Sequence, residues 1–237
     1  MATKKEHKFV EATTNVTTEK PEMKQAKPVG NASGLRAGAV VLWVLALVCE
    51  VLGILILFGK ITLTFMPTLY QFIGLMVIDL ILVIVGSQLW KKANHIDPAS
   101  EKNPTKFWLW NNMGVIVCCI AFVPFIILLL TNKNLDKKTK TLATVCAVIC
   151  LLIGGVASVD FNPVSEEQKT AAVTELSGTT VYWSPYGKVY HTHDDCGYLN
   201  QTEELTYGTV EQAIAEGRTK LCSHCAKTDN IENVVTD

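Results

Sequence analysis

Residues 37–58 read AGAVVLWVLALVCEVLGILILF, a run in which Glu50 is the sole charged position. A helix rising ~1.5 Å per residue over this length crosses the ~30 Å hydrocarbon core of a bilayer. The run is apolar on every side, the pattern of a helix surrounded by lipid and not of one lying on a soluble core. It begins too late and extends too far for a cleaved signal peptide, so it is read as a retained span.

Working outward from this run, three more segments of the same kind follow at 66–90, 109–130 and 142–159. The chain has 237 residues, 49% of them hydrophobic, and the apolar content is concentrated between about 37 and 159. Trp43, Tyr70, Trp90, Trp108 and Trp110 mostly fall near span ends, where amphipathic rings favour the headgroup region. Pro124 removes a backbone donor inside the third span and predicts a kink there. The expected environment is the lipid bilayer of a cell membrane, crossed several times.

Flanking segments have a different composition. Residues 1–36 are rich in Thr, Lys and Glu, with seven basic and four acidic side chains, and cannot bury enough surface to fold alone. They read as a disordered polar tail. Residues 160–179 are polar and carry Pro163, which reads as a linker, and 227–237 as a flexible end. With four spans both termini share one side, together with Lys91, Lys92, Lys102 and Lys106 of the second loop. That side carries eleven basic residues against five on the other, where Lys60, Lys133, Lys137, Lys138 and Lys140 lie, so the termini are expected in the cytoplasm.

Two acids sit about mid-span, Glu50 in the first and Asp79 in the second. An ionised carboxylate at that depth costs at least ~2.5 kcal/mol, so both should face the bundle. They are either two protonated acids hydrogen-bonded between helices or an ion or proton translocation site, the alternative function for the whole chain. Five cysteines, Cys49, Cys118, Cys119, Cys146 and Cys150, lie in the apolar runs and read as small packing residues.

The remaining three cysteines carry the chemistry. Cys222-Ser223-His224-Cys225 presents two thiols at a spacing that one metal ion accepts without strain, and Cys196, with His191 or His193, lies upstream. Val181-Tyr182-Trp183 and Lys188-Val189-Tyr190-His191 flank a Pro/Gly turn and predict a hairpin. Thr209 with Gln212 three residues later predicts a helix start, and Gly217 its stop. An odd number of tail cysteines suits a mixed Cys/His site better than a closed disulfide set. The expected ligands of a structural Zn2+ are His191, Cys196, Cys222 and Cys225, with His193 the rival of His191. So small a domain has too little core to stand alone, and the ion would supply folding free energy.

This arrangement, over about residues 180–226, resembles a small zinc-binding domain found at the C-termini of Firmicutes membrane and secreted proteins. It is similar to the N-terminal metal-binding domain of the Ada DNA-repair protein. His191 matches the position after Tyr in that family's pattern. In Ada a zinc-bound cysteine accepts a methyl group from DNA phosphate. Here, however, residues 176–237 carry four basic against nine acidic side chains, a surface that repels a phosphate backbone. A full set of four protein ligands also leaves no position for a metal-bound water, which argues against an enzyme.

The predicted fold class is therefore an α-helical integral membrane protein of four transmembrane helices with a small C-terminal α+β zinc-binding domain. A binding or regulatory role is expected, with a protein partner for the tail domain.

Overall fold

The computed structural model describes residues 21–61, 66–133 and 135–236. The expected disorder of the first twenty residues lies outside them. Two compact units divide the chain, one comprising Asn31–Pro163 and the other Met1–Gly30 with Val164–Asp237.

The first unit is built from α1 (Ala32–Leu57), α2 (Thr68–Ile96), α3 (Pro104–Thr131) and α4 (Lys137–Ser158). All four are long and apolar enough to cross a membrane. Their outward faces carry Val40, Val44, Leu47, Ile81, Ile127 and Leu152, all exposed. In water such faces would be an aggregation surface, whereas in lipid they are solvated. Small residues let the helices approach. A Cβ on Gly86 of α2 would stand 2.6 Å from Trp43 Nε1 of α1, so only glycine admits that indole.

Three of the helices start where a side chain caps them. Asn31 Oδ1 accepts from the Ser33 and Gly34 amides, Asn103 Oδ1 from Lys106, and Asp136 Oδ2 from Thr139. Helix α2 continues six residues beyond the expected Trp90 because its polar extension has partners. Lys91 Nζ donates to the carbonyls of Ala157 (2.8 Å) and Val159 (3.2 Å) at the C-terminal end of α4, which have no acceptor role left within their own helix. His95 Nε2 lies 3.0 Å from Asp160 Oδ2. Burial opposes the charge on Asp160, yet the hydrogen bond and charge of His95, with Lys91 nearby, hold its carboxyl below the usual range.

The second unit is α+β. It contains β1 (Glu22–Gln25), α5 (Glu166–Glu175), β2 (Val181–Trp183), β3 (Val189–Tyr190), a 3-10 turn (Gly197–Leu199), β4 (Glu204–Gly208), α6 (Val210–Ala215), β5 (Lys220–Leu221) and α7 (Ser223–Thr228). One sheet has the order β1-β4-β2 and the other pairs β3 with β5. The expected hairpin closes through Tyr182 and His191, whose amides and carbonyls exchange hydrogen bonds of 2.7 Å in both directions. The expected capping box of α6 forms between Thr209 and Gln212, and Gly217, at φ 86°, ends that helix.

Three features differ from a reading of local sequence. Residues 22–25 do not fold alone, but they form a strand parallel to β4, with Glu22 opposite Glu204 and Gln25 opposite Tyr207. Lys24 pairs with Glu204 at 2.9 Å, and Ala26 is buried in the core of this unit. The stretch expected to be a linker contains α5, started by a Ser165/Gln168 capping box and holding Ala172 in the same core. At the far end the Leu221 amide donates to the Val235 carbonyl and Val234 is buried, so partners elsewhere in the unit hold the terminal residues.

The seat of β1 depends on one glycine. A Cβ at Gly208 would approach Ala26 Cβ to 2.8 Å and the Trp183 ring to 3.2 Å. Gly208→Val is expected to expel Ala26, so that hydrogen exchange at residues 22–26 rises by ten-fold or more, about 1.4 kcal/mol, while α1 to α4 remain protected. Unchanged exchange at Lys24 to Ala26 would show that the strand does not need this space.

Candidate metal centre

Strand pairing brings the expected ligands together. Because β3 runs parallel to β5, Tyr190 lies opposite Leu221, and the Cys222 amide donates to the Tyr190 carbonyl at 2.9 Å. The next residue on each strand is then a candidate ligand, His191 on one and Cys222 on the other. Helix α7 starts immediately after Cys222 and returns Cys225 one turn later. Cys196 immediately precedes the 3-10 turn.

The ligand atoms of His191, Cys196, Cys222 and Cys225 all lie within 4.8 Å of one another, and the four residues are buried. Nδ1 of His191 is 3.7 Å from Cys225 Sγ. Tetrahedral zinc, with bonds of about 2.1 Å to nitrogen and 2.3 Å to sulfur, requires an N···S edge of roughly 3.6 Å. All eight cysteines are free thiols, so no disulfide competes for these sulfurs.

The surroundings also suit thiolates that have a cation to bind. Burial pushes the Cys196 thiol up to about 12, with the adjacent Cys225 adding to the effect. Cys222 is likewise raised by burial, against the backbone N–H groups of Cys225 and His224, which face its sulfur and favour the charged form. The backbone N–H of Tyr198 does the same for Cys196. Buried in this way, the Cys196 and Cys222 thiols resist ionisation, whereas a divalent ion at the centre of the cluster supplies the missing positive charge. The donor set therefore fits a soft or borderline cation such as zinc.

The two upstream histidines are sorted by their partners. His193 is outside the cluster, with Nε2 2.7 Å from Asp229 Oδ1, and the Thr192 hydroxyl donates to Asp229 Oδ2 at 2.5 Å. Burial works against the Asp229 charge, but these two hydrogen bonds and the His193 charge hold its carboxyl below the usual range. The pair ties the segment after His191 to the end of α7, which sequence reasoning missed because Asp229 shares no local pattern with His193. His224 is exposed, with its ring edge-on to Tyr198 at 6.2 Å, and does not enter the cluster.

No protein-family profile, curated protein or solved structure matches this chain.

Proposed function

We propose that this is a multi-pass membrane protein whose tail, residues 180–226, is organised by a structural zinc ion held by His191, Cys196, Cys222 and Cys225, and acts as a binding or regulatory module. The observation that carries the reading is the convergence of four buried soft and borderline donors on one point. The resemblance of the tail to the Ada-type zinc pattern supports the choice of metal. The excess of acidic over basic side chains in the tail argues for a protein partner and against nucleic acid.

Strand β1 bears on topology. A backbone ladder between residues 22–25 and β4 requires both segments in the same compartment. The chain between them therefore crosses the membrane an even number of times, in keeping with four spans, and the lysine distribution orients both ends toward the cytoplasm.

Two measurements on the full-length protein test this reading. Elemental analysis of protein purified in detergent is expected to give one zinc per chain. Epitope tags at the two ends, probed by protease in sealed vesicles of known orientation, are expected on the same cytoplasmic side. Metal-free protein with an ordered tail would end the zinc reading, and tags on opposite faces would end the topology.

A further inference from the structure

The bundle contains a polar site that takes no part in the metal centre. Asp79 of α2 is 2% exposed, and its Oδ1 is enclosed without a hydrogen-bond partner. The residue lines a small cavity together with Glu50 and Cys49 of α1, Phe72 and Met76 of α2, and Phe125 of α3. Glu50 is only half-buried, so it is the outer member of the pair. The two carboxyl-bearing residues share the walls of this one cavity.

The groups around Asp79 decide what this cavity can hold. Besides Asp79, the titratable residues that line it are both acids, Glu50 and Cys49 of α1. Among the described residues no Lys, Arg or His lines the cavity, so none of them balances the pair with a side-chain cation. Its volume of about 10 Å³ is close to the roughly 10–15 Å³ that one water needs. A hard metal ion takes about six oxygen ligands, and walls of phenyl rings, a thioether and a thiol do not provide them. A proton needs no such space. It removes one charge, and it gives the remaining carboxylate a donor.

We propose that Glu50 and Asp79 form a proton-binding site inside the helix bundle, holding one proton between the two carboxyl groups. Binding converts one carboxylate to a carboxylic acid whose O–H donates to the other, and release restores the carboxylate. The proposal is independent of the zinc reading, because no residue is shared between them.

Infrared difference spectroscopy on the full-length protein in lipid vesicles tests it, with aspartate and glutamate carrying carboxyl carbon-13 in separate samples. A protonated-carboxyl band of an apolar environment is expected to persist near about pH 7, where exposed carboxyls are ionised, and to change reversibly between about pH 5 and about pH 9. Glu50→Gln is expected to shift the aspartate band and Asp79→Asn the glutamate band, as each loses its hydrogen-bond partner. The labelled wild-type protein keeps the test valid should Asp79→Asn fail to insert. Absence of the band, or a band unchanged across the whole range, overturns the proposal. So does its loss on adding sodium, lithium or calcium at fixed pH, which would assign the pair to a metal cation.

Discussion

Alanine at His191 or serine at Cys222 is expected to abolish zinc retention and unfold the tail, whereas alanine at His193 leaves both the ion and the fold in place. The contrast follows from position. Nδ1 of His191 lies 3.7 Å from Cys225 Sγ within the buried cluster, while the His193 imidazole is engaged with Asp229 near the surface. A structural zinc ion contributes on the order of 10 kcal/mol at neutral pH. A domain of this size retains a net stability of only about 5 kcal/mol. Removing the ion, by chelation or by loss of a ligand, therefore exceeds what the remaining core can offset. Loss of the His193–Asp229 contact costs about 1 kcal/mol, the worth of one ordinary hydrogen bond.

The check is limited proteolysis of full-length protein in detergent, with metal content measured in parallel. Digestion should begin after Pro163 in the His191 and Cys222 variants, while a fragment containing α1 to α4 survives. Their caps and lipid-facing surfaces have no part in the metal centre. A tail that resists protease after exhaustive chelation would falsify the zinc reading, as would zinc loss in His193→Ala alone.

The second large effect is expected at Trp183. Its side chain is fully buried at the end of β2, and its Nε1 donates to Glu216 Oε2 just after α6 at 3.0 Å. Val181, Leu205, Ile214 and Leu221 belong to the same core. Trp183→Ala removes this packing and leaves a cavity, at a cost of about 3–5 kcal/mol. This cost approaches the whole net stability of the tail, so the variant should lose protease resistance at a markedly lower urea concentration than the wild type, even with zinc present. Trp183→Phe keeps most of the volume and loses the hydrogen bond, and should fall between the two. Equal urea midpoints for the wild type and Trp183→Ala would show that the indole is not a core element.

The fold was legible wherever a local pattern carries the information. Each span announces itself by length and composition alone, because lipid requires a helix to satisfy its own backbone and expose apolar side chains. The hairpin around Ser184 to Gly187 and the capping box at Thr209 were equally visible, since turns and helix starts are decided by residues a few positions apart. Strand β1 was not. Residues 22–25 have the sequence Glu-Met-Lys-Gln, which carries no strand pattern, and they pair only because β4, some 180 residues later, presents a free edge with Gly208 making room for Ala26. Nor were the ends of α2 visible, because its polar last turns are held by carbonyls of α4.

By itself, then, the sequence determined four membrane-length helices and a short list of soft ligands at metal-site spacing, both of which depend on residue type and on separations along the chain. The tertiary structure alone decided which histidine faces the sulfurs and which faces Asp229, and that one intramembrane carboxyl is enclosed beside another. Those outcomes depend on distances between elements remote in sequence. The parallel pairing of β3 with β5 places His191 beside Cys222, and the packing of α1 and α3 against α2 closes around Asp79.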